Sequence, residues 1–271
     1  MRSTLDPNHK GEPMTMSILE MKKTLKQLRL SGVLATLETR LLEAQTSNLS
    51  ALDVISDLLQ DELDRRHTRL LDKCLQRSGL PERATLAEFD WTYNPQIPKR
   101  TCFELNTLKF IAEGSNAILV GKAGTGKSHV AKAIAYSAVR EGLHVTYVEA
   151  DELLSNLALA AIEPLRKKKL MKPLIDADLL VLDDLFLRRK IATESADELQ
   201  TILHRRYSLR RSCIITTNRI IDDWSKCLGD AALTTAILDR LLHRSIPVEF
   251  RGRSYRLKEA STRLVNAEES A

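Results

Sequence analysis

"VGKAGTGKSH", residues 120–129, is the stretch on which the reading of the fold turns. Gly121, Gly126, Lys127 and Ser128 keep the spacing G-x-x-x-x-G-K-[ST], with the apolar run "NAILV" before them and the alanine-rich "SHVAKAIAYSAVREG" after. A strand that enters a helix through such a turn wraps successive backbone N–H groups around an anion, and glycine is needed where a Cβ would collide with it. The following helix points its positive end at the same place. In a loop of this kind the lysine reaches the β- and γ-phosphates of a nucleotide, and the hydroxyl beside it helps to hold Mg2+. Lys127 and Ser128 take those parts, and Lys122, Ala123, Gly124, Thr125 and His129 complete the ATP-binding stretch. The plainer alternative is a glycine-rich turn between strand and helix; the flanking elements weigh against it.

Downstream of the loop the chain alternates. "HVTYVEA" reads as a strand, "DELLSNLALAAIEPL" as a helix, "DLLVLDD" as a strand, "ESADELQTILHRRYSLRR" as a helix and "CIITTN" as a strand. Alternation of this kind predicts an α/β fold with a mostly parallel sheet between helices. Two of these strands end in polar groups suited to chemistry. Asp183 and Asp184 close "LLVLDD". Following a phosphate loop, the first suits the Mg2+ shell, and the second suits orienting or deprotonating a water that attacks the γ-phosphate. Asn218 closes "CIITTN" and can aim its amide at the same phosphate or water. Asp and Asn are also ordinary turn residues, and for Asn218 taken alone the two readings stand level.

Upstream, the period is helical. Ile18, Met21, Leu25 and Leu28 recur at three- and four-residue steps, as do Leu34, Leu37 and Leu41. After "QTSNLS" a further helical run sets Leu52, Ile55, Leu59, Leu63, Leu70 and Cys74 on one side, and Gly79 with Pro81 ends it. "FDWTYNPQIPKR", residues 89–100, breaks the regularity with two prolines and several aromatics. The expected organisation is a disordered leader over 1–15, a small all-helical DNA- or partner-binding domain over 16–90 whose apolar stripes form its own core, a linker over 91–102, an ATPase domain over 103–260 and a tail over 261–271.

Charge and cysteine usage narrow the classes. Forty-one Lys and Arg against thirty-six Asp and Glu give a net charge of +5, which suits a polyanionic partner without requiring one. Cys74, Cys102, Cys213 and Cys227 form no CxxC pair, which argues against zinc fingers and a disulfide framework and fits a reducing cytoplasm. No apolar run approaches the ~18 residues of a membrane span, and the opening lacks a signal-peptide core.

In this order and spacing the pieces resemble an AAA+ P-loop ATPase. "LLVLDDL", "CIITTNRIIDDW" and "ILDRLLHRSIPVEFRGRSYR" resemble more closely the IstB-like transposition helper ATPases and their relatives, the DnaC-type helicase loaders. The resemblance implies a five-stranded sheet with the phosphate-loop strand central. It also implies that Asp183 is the magnesium-side carboxylate, Asp184 the catalytic one and Asn218 the first sensor. Arg240 falls where the family places the arginine finger that enters a neighbouring subunit's site, and Arg256 falls near a second basic position that acts within the same chain. Arg240 and Arg244, four apart in a predicted helix, also read as solvated helix charges. Two departures stand out: the second acid is Asp184 where many AAA+ proteins have Glu, and fifteen residues follow Arg256, too few for a full C-terminal lid. With no lid, neighbouring subunits would have to close the nucleotide site.

Arg166, Lys167, Lys168 and Lys169 form a basic run between the second and third strands, where initiator-type relatives place a helix that lines a central channel. Arg188, Arg189 and Lys190 form another, and Arg205, Arg206, Arg210 and Arg211 a third. Such charges would track the phosphates of duplex DNA with little sequence preference, or serve only as solvated faces. The expected function is an ATP-dependent regulator of transposition that oligomerises with itself on duplex DNA, recruits or activates a transposase, and is reset by ATP hydrolysis. A helicase loader with the same ATPase core, a small-molecule kinase and a scaffold that binds but does not hydrolyse nucleotide are the alternatives.

Overall fold

Ser17 opens the first helix: its hydroxyl accepts the Glu20 N–H at 3.3 Å while the Glu20 carboxylate accepts the Ser17 N–H at 2.9 Å, a reciprocal cap for α1 (Ile18–Gln27). The computed structural model describes residues 16–187, 191–258 and 260–262. The expected leader, most of the expected tail, and Arg188, Arg189 and Lys190 therefore lie outside the described residues. The chain divides into two compact units between Leu70 and Leu71.

In the first unit α1 is followed by α2 (Ser31–Ser47) and by most of α3 (Ala51–Ser78). Gly32 sets how closely α2 and α3 approach, because a Cβ there would stand 2.5 Å from the Glu62 Cα. The buried Glu62 carboxylate accepts the Gly32 N–H at 2.5 Å and Arg66 Nε at 2.7 Å, supplying the cap that α2 lacks locally. Burial pushes the Glu62 carboxyl up, but these donors outweigh it and hold it below its ordinary range. Arg40 grips Asp61 through Nε at 2.9 Å and Nη2 at 2.8 Å, drawing that carboxyl down to about 2. The side of α3 turned to α2 thus carries Asp61 and Glu62. Leu52, Ile55, Leu59, Leu63 and Leu70, expected to form a core, are each more than half exposed, and among the described residues of this unit Val33 and Leu37 are the buried apolar side chains.

The second unit begins with the last turns of α3 and continues through α4 (Lys99–Asn106), α5 (Lys109–Glu113), β1 (Asn116–Gly121), α6 (Lys127–Arg140), β2 (Val145–Glu149), α7 (Ala150–Ala160), α8 (Pro164–Asp176) and β3 (Leu179–Asp183). It then runs through α9 (Thr193–Ser208), β4 (Ser212–Thr217), α10 (Trp224–Leu228), α11 (Ala231–Leu242) and β5 (Ser245–Phe250). The sheet is parallel throughout, in the order β2-β3-β4-β1-β5. The phosphate-loop strand β1 is therefore one in from an edge, and β4 is the middle strand. Strand β5 carries Pro247, which is tolerated because β5 has a partner on one side only.

Each face of the sheet has its own core. Ala117, Leu119, Val181 and Ile214 meet α6, whose Ala131, Ala135 and Ala138 let the helix lie close. Leu180, Leu182 and Ile215 face α7, α9 and α11. The segment expected as a linker is part of the first core: Ile97 and Cys102 are buried with Leu86, Leu105 and Phe110. Its prolines interrupt helical periodicity without freeing the chain. The helix expected over "DELLSNLALAAIEPL" is two, because Pro164 occupies the first turn of α8, where its missing N–H costs nothing.

Arg206, expected on a basic surface, is buried. Its guanidinium donates to the carbonyls of Leu174 at 2.7 Å, Ala177 at 2.9 Å and Ser212 at 2.5 Å, tying the C-terminal end of α8 to the start of β4. The Leu174 and Ala177 carbonyls carry the negative end of the α8 dipole, so a buried cation is stabilised there without an acid. Among the described residues no helix is long and apolar enough to cross a membrane. Both tryptophans, Trp91 and Trp224, lie in the second unit, so their fluorescence reports its unfolding alone. Arg206→Met leaves several buried carbonyls without donors and is expected to destabilise this unit by about 3 kcal/mol or more in urea titrations read by tryptophan emission. Arg206→Lys, lacking the planar fork, is expected to recover only part of that loss.

Candidate nucleotide-binding site

The loop between β1 and α6 is shaped by three close approaches. A Cβ on Gly121 would lie 2.2 Å from the Phe250 carbonyl oxygen, because β5 pairs with β1 to its last residue. Gly124 (φ +76°) and Gly126 (φ +103°) adopt backbone conformations that side chains disfavour. The Lys122 carbonyl gathers the loop, accepting Thr125 Oγ1 at 2.8 Å and Lys127 Nζ at 2.9 Å. Lys127 is buried at the start of α6, and Ser128 is half-buried in the same turn.

Two carboxylates face this lysine. Asp183, the last residue of β3, is buried, and Asp184 follows it at φ +53°. Tyr147 Oη donates to Asp183 Oδ2 at 2.5 Å and Thr216 Oγ1 donates to Oδ1 at 2.5 Å. Thr216 Oγ1 also accepts the Asp184 N–H at 2.8 Å, and Thr217 Oγ1 donates to the Leu185 carbonyl at 2.8 Å, so the end of β4 holds the acidic turn in place. Burial, and then the charge of Asp183, push the Asp184 carboxyl up; Lys127 and Arg256 oppose this. Burial lowers the Lys127 ammonium, and Asp184 and Asp183 hold it up. The two acids, Lys127 and Arg256 thus lie in one electrostatic neighbourhood.

The other expected residues are distributed unevenly. Asn218 is exposed directly after β4, on the same edge of the sheet as Asp183. Arg240 is elsewhere: half-buried on α11, it donates to the Ala236 carbonyl at 2.8 Å and lines a recess with Gly114, Asn116 and Cys213, at the opposite ends of β1 and β4. Of the basic run on α8, Arg166, Lys168 and Lys169 are exposed, while Lys167 is half-buried and ion-paired with Glu198. Lys167, Lys168, Lys172 and Arg205 border a cleft of about 790 Å³ between α8 and α9 with Met171 and Ile175 in its wall.

One part of the site escaped sequence reasoning. Phe89, Tyr93, Asn94 and Tyr255 join the expected His129 in lining a recess of about 310 Å³ that opens onto Thr125 and Gly126. The Tyr255 N–H donates to the Gly124 carbonyl at 2.8 Å, and Asn94 exchanges hydrogen bonds with the Arg253 carbonyl (3.0 Å) and N–H (2.9 Å). His129 is turned to the Thr85 carbonyl at 3.0 Å and packs near the Phe89 ring. The aromatics of "FDWTYNP" were the available signal, but their prolines and irregular spacing read as a boundary.

The donors near Lys127 suit Mg2+. Ser128 and Asp183 offer hard oxygen ligands, and among the described residues no three His, Cys, Asp or Glu side chains cluster into a metal cage. An ion here must complete its shell from phosphate and water, as Mg2+ does.

Known proteins resemble this chain in sequence and in fold. Residues 23–263 match the family described as IstB-like ATP binding protein. The chain is 35% identical over 240 residues to the insertion sequence IS21 ATP-binding protein of Pseudomonas aeruginosa, covering 89% of each chain. It is 34% identical over 216 residues to the IS5376 ATP-binding protein of Geobacillus stearothermophilus, covering 80% of this chain and 85% of that one. Among solved structures, DnaI superposes with a TM-score of 0.52 at 19% identity, over 64% of this chain and 90% of that one. DnaA of Aquifex aeolicus bound to AMPPCP does so at 0.52 and 23%, over 69% and 56%. These likenesses show the fold alone.

A Cβ on Gly126 would stand 2.4 Å from the Phe89 ring in a backbone conformation already unfavourable for alanine. Gly126→Ala is expected to weaken binding of a nonhydrolysable ATP analogue at least tenfold by calorimetry. Adding Phe89→Ala removes the collision but not the backbone strain, and is expected to recover only part of the affinity.

Proposed function

The chain belongs to the IstB-like ATP-binding protein family, and from that premise we propose that it is a DNA-dependent AAA+ ATPase serving transposition, whose nucleotide state sets its assembly on duplex DNA. The observation that carries this reading is the meeting of Lys127 with Asp183 and Asp184 beside a glycine-lined loop, while Arg240 stands at the far ends of the strands.

On this reading the loop N–H groups and Lys127 bind the triphosphate, and the base lies in the aromatic recess beside Thr125 and Gly126. Ser128 and Asp183 hold Mg2+, which when bound offsets charge on the β- and γ-phosphates. Asp184 orients the attacking water and takes its proton, a task helped by a carboxyl whose affinity for protons is raised. Asn218 steadies the γ-phosphate or the water, and Arg256 acts from within the same chain. Arg240 has no route to its own phosphate loop and serves that of a neighbouring copy. The exposed cations of α8 follow the phosphates of duplex DNA, with affinity falling as salt rises. The assembled complex is then presented to a transposase, and hydrolysis resets it.

Three variants test the scheme. Asp184→Asn is expected to bind ATP and DNA but hydrolyse slowly, so that large assemblies persist in light scattering; wild-type turnover would remove Asp184 from the mechanism. Arg240→Ala is expected to lose about a thousandfold in turnover, the scale of an arginine finger. Mixing it with Lys127→Ala, itself inactive, builds hybrid interfaces that have both groups intact. Recovered ATPase in the mixture supports action between subunits, and silence in mixtures that still assemble rejects it.

A further inference from the structure

Asp183 is a buried carboxylate without an ion pair among the described residues. A charge in that position is expensive unless its oxygens are hydrogen-bonded. Here both partners are neutral hydroxyls, Tyr147 on Oδ2 and Thr216 on Oδ1, each at 2.5 Å. Tyr147 is itself buried in β2. It pairs with Val181, two residues short of the acid, so that the ring runs along the sheet to reach Asp183. An ionised carboxylate can only accept, so the Tyr147 hydroxyl is the donor in this bond.

This pairing differs from a structural salt bridge in one respect that matters for a metal. A lysine or arginine on Asp183 would neutralise it and compete with a cation. Two hydroxyls leave its full negative charge in place and take one of the two lone-pair sites on each oxygen. With one donor at each oxygen, neither the plane nor the rotation of the carboxylate is free. Thr216 has a second duty, holding the Asp184 N–H at 2.8 Å, whereas the Tyr147 hydroxyl is committed to Asp183 alone.

We propose that Tyr147 is a positioning residue for the metal-side carboxylate: with Thr216 it fixes Asp183 so that its remaining lone pairs face the phosphate loop, ready to receive a nucleotide-bound Mg2+ or the waters around it. The proposal rests on the nucleotide-site reading above and adds to it a residue from β2, a strand that contributes no ligand.

The test measures nucleotide affinity with a fluorescent ATP analogue in EDTA and in Mg2+, with no turnover required. Wild-type protein is expected to bind more tightly with Mg2+, and Asp183→Asn to lose that gain. Tyr147→Phe keeps the ring and removes only the hydroxyl. It is expected to bind as wild type does in EDTA but to lose about tenfold of the Mg2+-dependent gain, the scale of one hydrogen bond to a charged group. Thr216→Val probes the other oxygen and is expected to lose the gain as well, while Thr216→Ser retains it, which keeps the test decisive if the tyrosine variant fails to fold. A Tyr147→Phe protein with an undiminished Mg2+ gain overturns the proposal. So does one weakened equally in EDTA and Mg2+, which would mark a purely structural role. If wild-type protein binds no nucleotide at all, the reading of the site fails, and this inference with it.

Discussion

A buried carboxylate and a half-buried one beside it, both within the field of one buried lysine, are the constraint on which the second unit is organised. Burial, and then the charge of Asp183, disfavour the ionised Asp184. Lys127 offsets part of that cost, although its own ammonium is disfavoured by burial. The arrangement is kept by backbone that cannot easily relax: the strand end at Asp183, the left-handed Asp184, and the hydroxyls of Thr216 and Thr217 fastening the acidic turn to β4. On the proposed reading a triphosphate with its cation would resolve the imbalance, adding negative charge beside the lysine and positive charge beside the acids. Strain and unbalanced charge of this sort concentrate at functional sites.

That constraint also accounts for which parts were legible in the sequence. The phosphate loop and the acidic strand end could be read because their chemistry fixes residue types at fixed spacing, and the buried strands could be read because all-apolar runs have few other uses. Strand β5 was not evident from pattern alone. "SIPVEF" carries Pro247 and Glu249, which an edge strand accepts and a central one would not. Residues 89–100 were misread for a related reason. Their prolines and aromatics break every period, yet Phe89, Tyr93 and Asn94 pack against the loop and the segment after β5. Contacts between Asn94 and Arg253 join positions far apart in the chain, and no local signal announces them.

Helical periodicity misled in the opposite direction. The leucine stripe of α3 has the spacing of a core-facing helix, but the contact with α2 is made by Asp61 and Glu62 through Arg40 and the α2 N-terminus. Periodicity identifies which residues share a face, not whether that face is the one that packs. Arg206 teaches the same lesson for charge: within a basic run it alone is buried, because helix-end carbonyls satisfy it as fully as an acid would.

The fold by itself does not separate a transposition factor from a helicase loader, since DnaI and this chain share it at 19% identity. The distinction comes from sequence likeness sustained across nearly the whole chain, 35% over 89% of the IS21 relative. What both kinds of machine need is a reason for nucleotide to control assembly, and the location of Arg240 offers one. An arginine at the far ends of β1 and β4 cannot complete the site of its own chain, so on the proposed reading each bound triphosphate stabilises a contact between copies as well as itself. The favourable charge contact is available only when both a triphosphate and a neighbour are present. By reciprocity, a neighbour raises affinity for the triphosphate as much as the triphosphate raises affinity for the neighbour. On the same reading, cleavage of the γ-phosphate would remove the charge that Arg240 reaches for and so loosen the interface.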